Sequence, residues 1–414
     1  MPPRRAADRA PGRGAALGTG RKLLFSALTT GCALLALELG ARLVDLQGPR
    51  WRQHPGVDLM VSHPTRLWAM APGAHRSGEL MAEVGPSGLR GPALPPPAEG
   101  DAPRVLVLGD SSFFGHGVGE AETLPAQLQR ALQDRGIDAL VQNFGVPGYS
   151  SLQSRALLDE QGWAQAPDLL LIGSLWSDNN IDGFRDADLL ATRRLLDQSQ
   201  LSGLRSFLLL TTLISRLRGE GGARVVSWTS SSAFPSEGQR RVRLPDYAAQ
   251  LDAMARAAAA RGVGVAFLAP ANQDMLGAGA DSGGVAPVWG AYFDAQAAVA
   301  AHHGAPLIPL APALAASGTP PAALFVDVMH PSAEGHRLAA AAVAEALVAA
   351  GWPQARLLAG GPPFDPASLP PDPFIGAPLP AGHRSPQLQL FGGTGAPDAD
   401  LHRPPPGADA QGRR

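Results

Sequence analysis

Between residues 104 and 350 apolar blocks alternate with polar-faced ones in a regular strand–helix rhythm. RVLVL at 104–108 is apolar almost throughout, as a strand buried on both faces must be. Leu124, Leu128 and Leu132 recur one turn apart and predict an amphipathic helix over about 123–135. A second strand is expected near 138–143, a helix from about 151, and a third strand in DLLLIG at 168–173. DYAAQLDAMARAAAARG at 246–262 reads as a helix capped by Asp246 and stopped by Gly262. Strands four and five follow at 263–270 and 306–310, with a helix over 290–303 between them and a last one over 333–350 behind the cap Ser332. Residues 183–240 interrupt the rhythm as an insertion, partly helical in LLATRRLLDQSQ and LRSFLLLTTLISRLRG. Five buried strands alternating with helices predict a doubly wound α/β domain over 101–352, its parallel sheet covered on both sides. Ligands of such a sheet sit at the carboxyl ends of the strands.

The two ends break the pattern. Arg4, Arg5, Arg9, Arg13, Arg21 and Lys22 stand against one acid, Asp8, ahead of an uncharged run from Leu23 to Leu37. Counting on to Leu43 gives the ~20 residues of a spanning helix. The basic front end predicts residues 1–22 in the cytoplasm, 23–43 across the membrane and the remainder outside it. Glu38 and Arg42, one turn apart, are expected to pair near the exit interface. Three other readings fit less well. A cleaved signal peptide lacks a clean small-residue site, LTTGC at 28–32 places Thr29 badly for a lipid-anchored Cys32, and Arg4-Arg5 lacks the apolar follow-on of a twin-arginine signal. Residues 44–100 are loop-rich, with PALPPPAEGDAP (92–103) as a hinge. From residue 353 on, 14 prolines and 9 glycines among 62 residues exceed the ~25–30% of low-complexity chains, so a tail without structure is expected.

Composition narrows the partners. With a net charge of -2 and 17% charged residues, no basic surface argues for nucleic acid. The single cysteine, Cys32, excludes an internal disulfide and a cysteine-based zinc site. His302-His303 ends a helix, where cationic character suits the dipole better than it suggests a metal.

Two polar segments carry candidate chemistry. GDSSFFGHG at 109–117 puts Asp110 and Ser111 on the loop after the first strand, with Gly115 and Gly117 to turn the chain. A serine needs a base to become a nucleophile. FVDVMHPSAEGH at 325–336, after the fifth strand, offers Asp327 and His330 at a spacing that lets the carboxylate reach the imidazole. An Asp that holds a His that activates a Ser is recognised by these roles, not by chain order.

These segments, with NFGVPGYSS at 143–151, resemble the nucleophile, glycine and Asp-x-x-His blocks of the SGNH, or GDSL-type, hydrolases over roughly residues 100–350. The resemblance implies a flavodoxin-like fold and a membrane-anchored bacterial serine esterase that needs no cofactor. Ser111 would be the nucleophile, His330 the base and Asp327 its orienter, with the backbone N–H groups of Ser111 and Gly148 as oxyanion donors. One block departs from the family. Where Gly-x-Asn-Asp is usual, IGSLWSDNN at 172–180 places Leu175 at the glycine and Ser177 at the asparagine, and keeps Asp178. The third donor is then the Ser177 hydroxyl or the Asn179 amide, and the fixed N–H of an amide favours Asn179. The implied substrate is an O-acetyl or short-acyl ester, on an envelope glycan given the anchor. An O-acyltransferase and a non-catalytic carbohydrate-binding module are the alternatives. Of the remaining side chains, His116 is expected to be a solvated loop histidine rather than a substrate contact. Trp176 is expected in the core rather than under a sugar ring, and Asp110 tying down its own loop.

Overall fold

A computed structural model of the chain describes residues 19–43, 60–77, 80–97, 102–182, 185–199, 204, 206, 239–277, 289–327 and 329–372. Two units separate by their contacts, Met1–Arg50 with Leu196–Ala223, and Trp51–Leu195 with Arg224–Arg414. The first contains α1 (Thr19–Leu43), a helix long and apolar enough to cross a membrane. The two charges near its C-terminal end do pair, Arg42 Nε lying 2.7 Å from Glu38 Oε1. The other Glu38 oxygen accepts from the amide and hydroxyl of Ser206 at 2.9 and 2.8 Å. Apart from Leu204 and Ser206, the segment LRSFLLLTTLISRLRG lies outside the described residues.

The second unit begins with two antiparallel hairpins where only loops were expected. β1 (Met60–His63) pairs with β2 (Leu67–Met70), and β3 (Gly73–Ser77) with β4 (Leu80–Val84). Then come the five apolar blocks as β5 (Arg104–Gly109), β6 (Leu140–Gly145), β7 (Leu169–Ile172), β10 (Gly264–Ala269) and β11 (Leu307–Pro309). They form one parallel sheet in the order β11-β10-β7-β5-β6. This is the flavodoxin-like order, and it reverses direction beside β5, where such sheets bind ligands. The remaining short strands, β8 (Ile181–Asp182) and β9 (Gln239–Arg240), pair antiparallel and hold the two ends of the insertion together.

Period-two alternation sorts the strand side chains into two layers. Leu106, Leu108, Leu170, Ile172 and Phe267 pack under the helices Leu244–Ala259 and Gly290–His303. Val105, Val107, Leu169, Leu171 and Leu268 pack under the helices α3 (Leu124–Gln133) and Ala333–Ala349. Each fully buried Leu or Val contributes about 1.5–3 kcal/mol relative to exposure, which fixes the register.

Two expectations need correction. The helix expected to start at Asp246 starts at Leu244 with Arg243 as its cap, because Pro245 favours the first turn and draws the start forward. Asp246 then sits in that turn and pairs with Arg243 at 2.6 Å. The tail expected to lack structure from residue 353 runs along the domain as far as Asp372. The Leu357 carbonyl accepts from the Val265 amide at 2.7 Å, and Asp252 Oδ1 accepts from the Phe364 amide at 2.9 Å. Ala359, Phe364 and Leu369 reach the core, an apolar spacing hidden beneath the proline count. Residues 373–414 lie outside the described residues.

Candidate active site

β5 ends at Gly109, and the chain turns at once into α2 (Ser111–Phe114), with Asp110 as its cap. This short helix lies directly on the sheet because β5 and β6 end in glycine and Gly173 follows β7 at once. A Cβ on Gly109 or Gly173 would fall inside the Phe113 ring, and one on Gly145 would meet the Phe114 amide at 2.5 Å. The amide of Ser112 donates to Asp110 Oδ1 at 3.0 Å. Burial pushes the Asp110 carboxyl up, against the Ser112 amide, the charge of His330 and the Ser177 amide.

His330 arrives from the far edge of the sheet on a tight turn. Asp327 builds that turn itself, its Oδ1 accepting the amides of Met329 and His330 at 2.9 and 2.8 Å. Asp327 Oδ2 then meets His330 Nδ1 at 2.7 Å, and His330 Nε2 meets Ser111 Oγ at 2.7 Å. Burial opposes the charge of Asp327. The His330 hydrogen bond and charge, with the amides of His330 and Met329, outweigh it and lower the carboxyl to about 2. An ionised carboxylate only accepts, so Nδ1 carries the proton, and Nε2 is left to accept from the Ser111 hydroxyl.

The second block closes on the end of β5 as well. The Val146 amide donates to the Gly109 carbonyl at 3.1 Å, and Asn143 Nδ2 donates to the Phe114 carbonyl at 3.2 Å. Gly148 follows at φ 73, a conformation that only glycine adopts without strain. In the third block the Leu175 carbonyl accepts the amides of Asp178 and Asn179, both at 3.1 Å, so that Ser177, Asp178 and Asn179 share one buried turn. Asn179 Nδ2 is buried and meets no hydrogen-bond partner among the described residues. A donor so placed costs about 1–3 kcal/mol until something accepts from it.

Residues 107–287 match the GDSL-like Lipase/Acylhydrolase family. Over that stretch the domain is GDSL-like. The match takes in the nucleophile, glycine and third blocks and ends before Asp327 and His330. Among solved structures, the GDSL-like domain is similar to an acetylxylan esterase from Geobacillus stearothermophilus, at 18% identity over 60% of this chain and 95% of that one, with a TM-score of 0.39. It is similar also to an alpha/beta hydrolase enzyme from the metagenome of Lake Arreo, Spain, at 18% identity over 59% and 96% of the two chains, with a TM-score of 0.39. No curated protein matches the chain.

Around the GDSL-like centre, other polar side chains take structural posts. Asp178 accepts the Ser151 amide at 2.9 and 3.0 Å and so caps α4 (Ser151–Leu157). Burial pushes its carboxyl up to about 8 against the pull of Ser151. Trp176 packs edge-on against Trp289 and Phe293, with ring centres 6.0 and 5.8 Å away, and is 2% exposed. It is a core residue, and the sugar-stacking alternative falls. His116 is not the solvated histidine expected. It is half-buried with its ring 4.6 Å from that of His330, and burial first, then the charge of His330, lowers its pKa to about 3. His302 and His303 bind the C-terminal segment through the carbonyls of Pro362 and Gly360, at 2.8 and 2.6 Å.

Sequence reasoning missed Arg90. It is fully buried and donates to the carbonyls of Phe114, Gly115 and Val118 at 3.0, 2.6 and 2.7 Å, while Glu120 balances its charge at 2.8 Å. It thereby holds the loop that follows Ser111. Nothing in SGLRG at 87–91 sets this arginine apart from a solvated one.

Proposed function

We propose that the GDSL-like domain is a serine esterase, held outside the cytoplasm by α1, that removes an O-acetyl or short-acyl group from an envelope glycan. The observation that carries this reading is the continuous line of hydrogen bonds from Asp327 through His330 to Ser111, 2.7 Å at each step.

The chemistry follows from those contacts. As Ser111 Oγ attacks the ester carbonyl, His330 Nε2 takes its proton. General base help of this kind contributes typically about 10²–10⁴-fold. The imidazolium that forms faces Asp327, which remains charged down to about pH 2. Negative charge grows on the former carbonyl oxygen, and the N–H groups of Ser111 and Gly148 with the Asn179 amide receive it. Each such donor supplies about 3–4 kcal/mol to the transition state. Collapse passes the proton from His330 to the leaving alcohol and leaves an acyl group on Ser111. Water then repeats the cycle with the same base. None of these steps draws on a metal or an organic cofactor.

Location supports the substrate. With residues 1–22 inside and α1 across an inner membrane, the domain lies in the periplasm or beyond, where acylated glycans are within reach. A sugar hydroxyl in place of water would make the same centre an O-acyltransferase.

Ser111→Ala tests the reading. The full chain is expected to take up one fluorophosphonate per molecule and to turn over p-nitrophenyl acetate. The variant should do neither, with stability within about 1 kcal/mol of the parent, since a half-buried hydroxyl at the start of a short helix contributes little to folding. Activity retained in the variant would remove the nucleophile and favour a carbohydrate-binding module.

A further inference from the structure

Arg240 and Arg241 stand side by side at the returning foot of the insertion, both buried. Neighbours in an extended segment point to opposite sides. Arg240 NH1 donates to the carbonyl of Asn179 at 2.5 Å, and Arg241 NH1 donates to the carbonyl of Gly148 at 2.9 Å. Each uses its other edge, Nε with NH2, as a fork on one carboxylate. For Arg240 this is Asp372, at 2.8 and 3.1 Å, and for Arg241 it is Asp186, at 3.0 and 2.8 Å. The backbone of the same segment runs along the Asn179 turn, with the Arg241 amide on the Asn180 carbonyl at 2.8 Å and the Val242 amide on the Asp178 carbonyl at 3.2 Å.

We infer that Arg240 and Arg241 are positioning residues for the oxyanion donors, a clamp that fixes Gly148 and Asn179 relative to Ser111. The inference rests on the esterase reading above. The geometry gives the reason. Gly148 has no side chain to hold it and sits at φ 73, and Asn179 lies on a turn, so both are soft points of the backbone. A charged donor on each carbonyl makes the stronger kind of hydrogen bond and restrains the rotation that would swing the adjoining N–H or side chain away. Each guanidinium is neutralised by a buried carboxylate, so the clamp buries no uncompensated charge. A lysine in either place retains the charge but loses the fork that reaches carboxylate and carbonyl together. Asp186 opens α5 (Asp186–Ser199), and Asp372 belongs to the C-terminal segment. Two parts of the chain that carry no reacting group thus govern the transition state.

The test uses the full chain in detergent micelles and the variants Asp372→Asn, Arg240→Lys and Arg241→Lys. Ser111 is titrated to completion with a fluorophosphonate, and kcat per titrated site and KM are measured with p-nitrophenyl acetate. Inhibition by a trifluoromethyl ketone, whose adduct carries an oxyanion, is measured alongside. The clamp predicts a kcat per titrated site lower by about 10–10²-fold, with KM changed less than about twofold. It also predicts inhibitor affinity weakened by the same factor as kcat. A kcat per titrated site within about twofold of the parent in all three variants would overturn it. So would activity lost only in proportion to titratable Ser111, the mark of a structural brace. A parent chain with no turnover gives a different result, since it removes the esterase reading on which the clamp rests.

Discussion

His330 Nε2 stands 2.7 Å from Ser111 Oγ although 219 residues separate the two in the chain. β11, which precedes His330, is three strand spacings from β5, about 14 Å at the usual interval. The chain covers that distance with the two short helices Leu310–Ala316 and Pro321–Leu324 and then the Asp327 turn. The contact therefore reports on the whole sheet, and distant core damage should appear first as lost turnover.

The third oxyanion donor can be assigned by substitution. If Asn179 is that donor, Asn179→Ala is expected to lower kcat by about 10²–10³ with a small change in KM, because an oxyanion donor acts in the transition state. Ser177→Ala should change kcat far less, since the Ser177 amide, which the substitution retains, is what faces Asp110. The reverse ranking in steady-state kinetics would give the role to the Ser177 hydroxyl.

Acid sensitivity should come from buried histidines. Burial, followed by the charges of Arg90 and His330, lowers His336 to about 3, and neither of its ring nitrogens meets a hydrogen-bond partner among the described residues. His116 is lowered to about 3 as well. In the unfolded chain both protonate near 6.5, so between pH 6.5 and 3 the unfolded state binds more protons and stability falls as pH drops. Asp327 adds to this at lower pH. Its contribution is complete above 3.8 and is lost as pH falls toward 2. His336→Phe should shrink the stability gap between pH 7 and pH 5, read from urea midpoints, by up to about 2 kcal/mol. An unchanged gap would mean that His336 does not set the acid limit.

The glycine floor under α2 should tolerate no side chain. Gly173→Ala puts a methyl group into the Phe113 ring and should cost about 1–3 kcal/mol in stability. The same shift lifts Ser111 from His330, so kcat should fall further than stability alone explains. Parent-like kinetics with a parent-like melting temperature would show that Phe113 can move aside.

Much of this was legible beforehand, for identifiable reasons. Strands such as Val105–Leu108 and Leu169–Ile172 are buried on both faces, and such a strand shows as an unbroken apolar run. Leu124, Leu128 and Leu132 face one layer and show as a period. The segments around Ser111 and His330 carry their own turn residues, so local sequence placed them at one edge. What stayed hidden was long-range polar pairing. Arg90 on the Phe114 carbonyl, Arg241 on Gly148 and His303 on Asp252 join residues far apart in the chain, and no local pattern marks them. The hairpins at 60–84 were missed because strands of four or five residues are too short to show alternation.

Topology decides which substrates are within reach. A reporter active only in the periplasm, fused after residue 60, should work, and the protein should stay with membranes after a high-salt wash. On the proposed topology Glu38 is the costly residue: an acid near mid-bilayer costs ~2.5–3.5 kcal/mol, and a place close to the exit end, paired with Arg42, relieves most of this. Glu38→Leu should therefore leave the orientation unchanged. Cytoplasmic reporter activity would overturn the anchor and the glycan substrate together.

Because Asp182 and Gln239 are register partners, the ends of the insertion are already held together when the sheet is complete. Closing a loop between fixed ends costs only about 0.6 kcal/mol more for each doubling of its length. The residues beyond α5 can then be lengthened or trimmed as a cassette while the sheet barely registers the change. Asp186 and Arg240 are the borders of that freedom, for a splice that crosses either one reaches Gly148 or Asn179.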